Sequence, residues 1–180
     1  MSRIGKKPLA LPAGVTVAKD GDRLVVKGKN ETLEVKLLPG IDVEFPDKGN
    51  VVVTRADDEK QSRAYHGLIR RLLENAVVGL STGYKKELDI IGTGFKAELK
   101  GTDLTFSLGF SHTVTFPVPK GIKAAYDPKA NRLTLTSADK HLIGQVAANI
   151  RNLRPPDAYK GKGIKFADEV LHLKVGKAGA

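Results

Sequence analysis

The residues best suited to chemistry lie in one short segment, residues 154–165, called the basic loop here. Two prolines and two glycines keep it out of a helix, because proline lacks an N–H donor and glycine leaves the backbone unrestrained. Its cations and its one aromatic ring are Arg154, Lys160, Lys162, Lys165 and Tyr159. Closely spaced cations beside Gly161 and Gly163 can follow a line of phosphates, and the ring can stack on a base or sugar. Taken alone, such a segment is more often a solvated basic loop.

The charge of the chain favours an anionic partner. Among 180 residues, 30 Lys and Arg face 20 Asp and Glu, a formal net charge of +10. Residues 1–90 carry 16 basic and 13 acidic side chains, a net of +3, whereas residues 91–180 carry 14 and 7, a net of +7. An excess of this size suits nucleic acid or an acidic membrane surface. We therefore expect the second half to present the main anion-binding surface.

Little in the sequence suits an enzyme. There is no cysteine, hence no disulfide framework, thiolate nucleophile or thiolate metal site. Four histidines are scattered, and a surface or capping role is expected for His66. The glycines at 92–94 and 161–163 lack the spacing or the following helix of a nucleotide-binding fingerprint. We expect no catalytic residue, metal, cofactor or small-molecule substrate, and no apolar run approaches the roughly 20 residues of a membrane span.

One order of predicted elements occurs twice along the chain. Gly14 and Gly94 are 80 positions apart, and so are Gly21 and Gly101. Around these glycines, the same series of alternating strands and turns leads to one amphipathic helix in each half. An internal duplication explains this order. The sequence predicts an α+β fold of two similar tandem domains, each a mainly antiparallel β-sheet packed on one face by a single helix.

The domains are predicted to span residues 1–82 and 83–180, with a link at 83–86. Gly79 is the expected stop of the first helix, and Asp57 or Asp58 its expected cap. The apolar stripe of this helix comprises Tyr65, Leu68, Ile69, Leu72, Leu73, Ala76, Val77 and Leu80, with Arg63, Arg70, Arg71 and Glu74 largely off it. The stripe of the second helix, which Pro155 and Pro156 end, comprises Leu142, Ile143, Val146, Ala147, Ile150 and Leu153.

Basic residues also mark both ends of the chain. Arg3, Lys6 and Lys7 lie on an N-terminal arm, and Lys174 and Lys177 lie in a tail that we expect to be flexible. Two basic arms and a basic loop are typical of a nucleic-acid footprint, although terminal disorder explains the arms equally well. Six Phe, four Tyr and no Trp argue against a sheet that stacks several bases. Contacts to phosphate and ribose in a folded RNA are favoured instead.

Five segments together resemble one family. They are residues 1–8, 92–97, 109–112, 144–151 and 159–164. In this order they resemble the bacterial large-subunit ribosomal protein L6 family, and the resemblance runs along nearly the whole chain. It implies two duplicated α+β domains, no catalytic activity, and a cytoplasmic, ribosome-associated protein. It also implies binding of large-subunit rRNA, chiefly by the C-terminal domain, near the sarcin–ricin loop and stalk base, among neighbouring large-subunit proteins and close to docking translation GTPases.

Carried onto this chain, the resemblance and the basic arms give a set of RNA-binding candidates. They are Arg3, Lys6, Lys7, Gly92, Gly94, Lys96, Arg151, Arg154, Tyr159, Lys160, Gly161, Lys162, Gly163, Lys165, Lys174 and Lys177. Two other functions stay open. One is a cytosolic binding module for an acidic protein or free RNA, unconnected with ribosomes. The other is a small phosphate-handling enzyme, for which the sequence shows no general base or metal cluster.

Overall fold

The computed structural model describes residues 5, 7–29, 31–47 and 49–177, which form two compact units. The N-terminal unit holds the residues up to Gly83 together with residues 138–140, and the C-terminal unit holds the others from Tyr84 onward. Within the described residues there are two α-helices and thirteen β-strands, and every strand pair is antiparallel.

The N-terminal unit consists of two three-stranded sheets and one helix. Its elements are β1 (Leu9–Ala10), β2 (Thr16–Asp20), β3 (Arg23–Lys27), β4 (Thr32–Lys36), β5 (Ile41–Asp47), β6 (Asn50–Arg55) and α1 (Lys60–Ser81). The strand orders are β1-β6-β5 and β2-β3-β4. Leu24 and Val26 of β3 are fully buried while Arg23 and Lys27 are exposed, because successive side chains of a strand point to opposite faces.

Helix α1 buries a narrower apolar stripe than the sequence predicts. Ile69, Leu73, Ala76 and Val77 are buried, but the predicted stripe residues Leu68 and Leu72 are 47% and 40% exposed. Arg70, expected off the stripe, is only 5% exposed: its Nη1 lies 2.5 Å from Glu74 Oε2, and its Nε donates to the Lys7 carbonyl at 3.3 Å. An ion pair and a backbone acceptor therefore allow a guanidinium to take an inward position.

The predicted ends of α1 were wrong. The helix continues through Gly79 to Ser81, and Gly83, with φ of +75°, supplies the left-handed residue that ends many helices. At the start, Glu59 occupies the capping position without a side-chain cap bond. Asp57 lies just before it and accepts the Glu59 N–H at 3.0 Å.

The expectation of a surface or capping role for His66 was also wrong. The ring is 3% exposed, its Nε2 donates to the Val53 carbonyl at 2.8 Å, and its Nδ1 lies 3.2 Å from Arg55 Nη1. A Cβ at Gly5 would lie 2.5 Å from the ring. The histidine is thus a core residue whose two nitrogens both have partners.

The C-terminal unit repeats this arrangement and adds to it. Its elements are β7 (Tyr84–Ile91), β8 (Lys96–Lys100), β9 (Asp103–Ser107), β10 (Val114–Pro117), β11 (Ile122–Asp127), β12 (Arg132–Ser137), α2 (Lys140–Leu153) and β13 (Gly163–Phe166). The strand orders are β10-β9-β8 and β11-β12-β7-β13. Strands β8 and β9 begin 80 positions after β2 and β3. The predicted α+β class is confirmed, with the strands of each unit divided between two sheets.

Two parts of this unit differ from the sequence prediction. Residues 83–86 were interpreted as a link, but from Tyr84 onward they are the first residues of β7, an inner strand of the four-stranded sheet. The last residues of the basic loop form β13, in which Ile164 lies opposite Ile90 of β7 and is fully buried. Ile164 is the one large apolar residue between Gly163 and Lys165 in the sequence. Its burial stabilises this short strand.

The core of the C-terminal unit packs α2 against its sheets. Ile143, Val146, Ala147 and Ile150 of the predicted stripe are buried, and the helix ends at Leu153, before the two prolines, as predicted. In the described part of the chain, neither α1 nor α2 combines the length and the apolar run that crossing a membrane requires.

Candidate nucleic-acid interface

The basic loop follows α2 directly, ends within β13 and is closed by backbone hydrogen bonds. The Ile164 N–H donates to the Arg154 carbonyl at 2.8 Å, and the Asp157 N–H donates to the Lys162 carbonyl at 2.9 Å. These bonds join the two arms of the loop, so that the residues between them form a short, tied turn. A tied turn presents its side chains at low entropic cost, because its backbone is already ordered.

Asp157 organises the tip of the loop. Its Oδ2 accepts the N–H groups of Lys160 at 2.8 Å and Tyr159 at 3.2 Å, and its carbonyl accepts the Gly161 N–H at 3.0 Å. The Lys160 N–H above all, with those of Tyr159 and Ala158, lowers the pKa of the Asp157 carboxyl. The carboxylate is therefore used to fold the turn, a common role of aspartate in loops.

The two glycines of the loop have roles within the protein. Gly163, with φ of +146°, lies so close to the prolines that a Cβ would be 2.6 Å from the Pro155 carbonyl oxygen and 2.7 Å from Pro156 Cα. Gly161 is buried, with φ of +66°. Both positions shape the loop: left-handed backbone favours glycine, and Gly163 has no room for a side chain.

The most accessible cations of the loop are at its tip. Lys160 and Lys162 are exposed, and within the described part of the chain neither forms an ion pair. Tyr159 beside them is 57% exposed. An ammonium group without a carboxylate partner keeps its full charge available to an external anion. These three candidates lie together, as the sequence predicts.

Two other candidate cations are bound to one acidic residue. Arg151 holds Glu169 with two contacts, Nε to Oε2 at 2.9 Å and Nη2 to Oε1 at 2.5 Å. Lys165 Nζ donates to the Glu169 carbonyl at 3.3 Å. The Arg151 guanidinium lowers the pKa of Glu169, and the carboxylate raises the pKa of Arg151. The bidentate pair holds the guanidinium against the protein, so Arg151 is less available to phosphate than the lysines at the tip.

The turn at residues 92–96 is built around an aromatic ring. A Cβ at Gly92 would lie 2.5 Å from the Phe95 ring, and one at Gly109 would lie 2.9 Å from it. Gly94 has φ of +75° and open space around it. Lys96 pairs with Glu98 at 2.8 Å, which raises the lysine's pKa. Gly92 therefore leaves room for the Phe95 ring. The charge of Lys96 is partly balanced by Glu98.

The terminal candidates have different surroundings. The Lys174 N–H donates to the Ala158 carbonyl at 2.8 Å, which brings the tail against the basic loop, and Lys177 is exposed. Lys7 is exposed in the N-terminal unit, whereas Arg3 and Lys6 lie outside the described residues. The predicted flexibility of the tail stays a prediction.

Phe110 and His112 belong to the same surface, although neither is among the binding residues predicted from the sequence. An open groove is lined by Phe95, Phe110, Arg154, Pro156, Asp157 and Lys162, among others. The Arg154 guanidinium lies 4.9 Å from the centroid of the Phe110 ring, and the His112 ring stacks on Phe110. In the sequence, the feature that could have identified them is an aromatic residue and a histidine shortly after Gly109, a turn glycine.

Side chains that could ligate a metal ion are dispersed in the described residues. Over residues 7–29, 31–47 and 49–177, together with Gly5, no three His, Asp or Glu side chains converge in a way that could hold a metal ion. The carboxylates near the loop, Asp157 and Glu169, are occupied by backbone N–H groups and by Arg151. The exposed cations Lys160 and Lys162 and the exposed ring of Tyr159 form a combination suited to binding nucleic acid.

Known proteins of one family match both units. The family described as Ribosomal protein L6 matches residues 11–83 and again residues 91–167, so its repeated segment coincides with the duplicated elements. A large ribosomal subunit protein uL6 from Koribacter versatilis (strain Ellin345) is 51% identical over 181 aligned residues, covering 100% of this chain and 99% of the relative. Proteins of the same name from Anaeromyxobacter sp. (strain Fw109-5) and Anaeromyxobacter dehalogenans (strain 2CP-C) are each 48% identical over 180 residues, with the same coverage. The chain therefore belongs to the ribosomal protein L6 family, a structural and non-enzymatic component of the ribosome.

Proposed function

We propose that this protein binds and stabilises large-subunit rRNA through its C-terminal domain, residues 83–180, as a structural constituent of the large ribosomal subunit. The observation that carries the proposal is the tip of the basic loop. There Lys160 and Lys162 project from a tied turn without an ion pair in the described residues, beside the exposed ring of Tyr159. As a member of its family, the protein is ribosome-associated in the cytoplasm.

Binding follows from the electrostatics of the loop. Each lysine that neutralises a phosphate releases condensed counterions, and this release supplies a large part of the affinity for RNA. The turn is already folded by Asp157 and by the Ile164–Arg154 and Asp157–Lys162 bonds, so little backbone entropy is lost on binding. Tyr159 adds a ring that can stack on a base or a ribose. Shape and phosphate position then carry the specificity, as in most recognition of folded RNA.

The position on the ribosome forms the finer part of the proposal. The family resemblance supports a place near the sarcin–ricin loop and the base of the stalk, among neighbouring large-subunit proteins. There the C-terminal domain would hold the RNA rigid close to where translation GTPases dock. The protein supports factor docking through this RNA and takes no part in the chemistry of GTP hydrolysis.

Two charge-matched double variants test the role of the loop. K160A/K162A removes two exposed cations from the basic loop, and K27A/K29A removes two lysines from the N-terminal unit. Affinity for deproteinised large-subunit rRNA is measured by filter binding across a series of KCl concentrations. With about six phosphates neutralised, log K against log[salt] falls with a slope of roughly −4 to −5. We expect K160A/K162A to weaken binding and flatten the slope by about one to two units.

The control variant K27A/K29A is expected to keep the wild-type slope. If both variants keep it, the basic loop is not part of the contact surface. If the slope flattens equally in both variants, the effect reflects overall charge and the loop has no special role. Sedimentation of the tagged protein through a high-salt gradient of a cell lysate then tests the ribosomal part. One copy per large subunit is expected, and recovery only at the top of a low-salt gradient would favour a binding module unconnected with ribosomes.

A further inference from the structure

The C-terminal unit exposes a pair of stacked rings that the proposed function does not use. Phe110 and His112 lie with their ring centroids 6.0 Å apart and their planes inclined by 19°. Phe110 is 40% exposed, and His112 is exposed as well. Two adjacent exposed rings present a flat aromatic surface on which an external partner can stack.

The backbone holds these rings in place. Leu108, two residues before Phe110, is fully buried, and Gly109 adopts φ of +75°. The Phe95 ring lies directly against Gly109, where a Cβ would come within 2.9 Å of it. Because Leu108 is buried and the Phe95 ring packs against Gly109, the backbone that carries the two rings is restricted. Such pre-organisation lowers the entropic cost of a stacking partner.

The surroundings of the rings are cationic. The Arg154 guanidinium lies 4.9 Å from the Phe110 centroid, within the range of a cation–π contact. Arg154 and Lys162 line the same open groove as Phe110. Within the described residues neither cation forms an ion pair. An aromatic surface bordered by cations that have no carboxylate partner matches a nucleotide, which has an apolar base face and an anionic phosphate.

We infer that Phe110 and His112 form a stacking platform for one unpaired base of the rRNA, while Arg154 and Lys162 bind the adjoining phosphate. The inference rests on the proposed function, because the base belongs to the RNA that the basic loop binds. Every base has a π-face, so the platform accepts a base by its shape and exposure rather than by its identity. It selects RNA that is locally unpaired, since a base within a duplex already stacks on its neighbours.

A tryptophan reporter tests this platform directly. The chain has no tryptophan, so F110W places a single fluorophore on the platform. F45W places one at Phe45, a phenylalanine of β5 that is 45% exposed in the N-terminal unit, as the matched control. Deproteinised large-subunit rRNA is titrated into each variant, and gel shift records binding in parallel. We expect saturable quenching of F110W with the same midpoint as the gel shift, and no quenching of F45W.

Truncation separates stacking from charge. F110A removes an aromatic ring and no charged group, so the slope of log K against log[salt] is expected to stay at the wild-type value. We expect F110A to lower affinity about five- to hundredfold, the range for loss of one stacked base, and F110Y to retain binding. Circular dichroism of each variant confirms that it is folded before the titration.

The outcomes distinguish the two levels of the proposal. If F110W stays unquenched by rRNA that shifts it in the gel, and F110A binds as tightly as wild type, the platform is disproved while RNA binding by the basic loop stands. If wild-type protein fails to bind the rRNA at all, the proposed function fails and the platform fails with it. Equal quenching of F110W and F45W would indicate general adsorption and would also overturn the platform.

Discussion

The two units share one order of elements and differ mainly in the segments after their helices. Helix α1 has 22 residues and ends at Ser81, two residues before Gly83, whereas α2 has 14 residues and ends at Leu153, before two prolines. The basic loop then leads to β13, which pairs with β7 and has no counterpart in the described sheets of the N-terminal unit. A duplicated core thus sets the architecture, and a connection added after the second helix carries the charge that we propose binds RNA.

The solvent-facing sides of the helices differ as well. Helix α1 exposes Leu68 and Leu72. Helix α2 carries Gln145 and Asn149 on its outer side, where their side chains are joined by a hydrogen bond of 2.9 Å. Similar buried stripes therefore accompany different outer faces. The two units therefore share the way their helices pack and differ in the surfaces they expose.

The largest effect on stability is expected at Gly163, where the basic loop packs most closely against its own prolines. In G163A, the new Cβ meets the Pro155 carbonyl oxygen at 2.6 Å, in backbone where φ is +146°. Because Pro155 and Pro156 are themselves stiff, we expect the free energy of unfolding to fall by about 3 kcal/mol. Urea unfolding followed by circular dichroism measures it.

Its control lies in the helix before the loop. A Cβ at Gly144 in α2 meets nothing within 4 Å, so we expect G144A to stabilise the protein by about 0.5–1 kcal/mol, through the higher helix propensity of alanine. Equal stability of G163A and wild type would contradict the account of the loop as a tightly tied connection.

A smaller effect is expected when the pair behind the loop is broken. Glu169 pairs with Arg151, and the side chains are 22% and 28% exposed. E169Q is expected to cost about 1 kcal/mol of stability. Arg151 then becomes free to bind phosphate, so affinity for rRNA is expected to rise and the salt slope to steepen by about one unit. Filter binding at several KCl concentrations measures this, and a weaker affinity would show that the pair positions the loop for RNA.

The same pair gives a dependence of stability on pH. Arg151, the largest contribution, lowers the folded pKa of Glu169 below that of the unfolded chain. A carboxylate with a depressed folded pKa stabilises the fold above its unfolded pKa of about 4.3, and this stability is lost as the pH falls through the folded pKa. Wild type should therefore lose its stability advantage over E169Q below about pH 4. An advantage that stays constant as the pH falls from about 4 toward acid unfolding would exclude the pair as its source.

The smallest effect concerns the tip of the loop. D157A removes the carboxylate that accepts the N–H groups of Lys160 and Tyr159. We expect faster amide exchange at these two residues and a loss of rRNA affinity of about three- to tenfold, because the turn must then be ordered on binding. D127A is the control: Asp127 accepts the Lys129 N–H at 2.9 Å in a similar turn. Equal losses of affinity in D157A and D127A would show that the basic loop has no special role in binding rRNA.

Much of the fold can be predicted from the sequence, because local backbone and side-chain chemistry determines it. Positive φ at Gly14, Gly21, Gly94 and Gly101 explains why glycines recur 80 positions apart. A series of alternating strands was predicted around these glycines, and Pro155 marked the end of α2. Where the backbone conformation or the periodicity demands one residue type, a single sequence suffices.

The remainder depends on tertiary contacts that periodicity does not record. Arg70 is inward because Glu74 and the Lys7 carbonyl are there to receive it. Strand β13 exists because β7 provides its partner, and only four residues of sequence mark it. In the candidate interface, Lys160 and Lys162 were predicted from charge and from the family resemblance. The contact between Arg151 and Glu169 depends on the tertiary structure, since these residues are 18 positions apart in the sequence.

Ultraviolet crosslinking within assembled large subunits tests the central claim most directly, since it identifies the peptides of this protein that contact rRNA. After crosslinking, nuclease and protease digestion and mass spectrometry assign each nucleotide-bearing peptide to one of the two units. We predict crosslinks in residues 154–165 and 108–112 of the C-terminal unit. Crosslinks confined to residues 7–83 would contradict it, and would place the RNA on the unit that lacks the added loop.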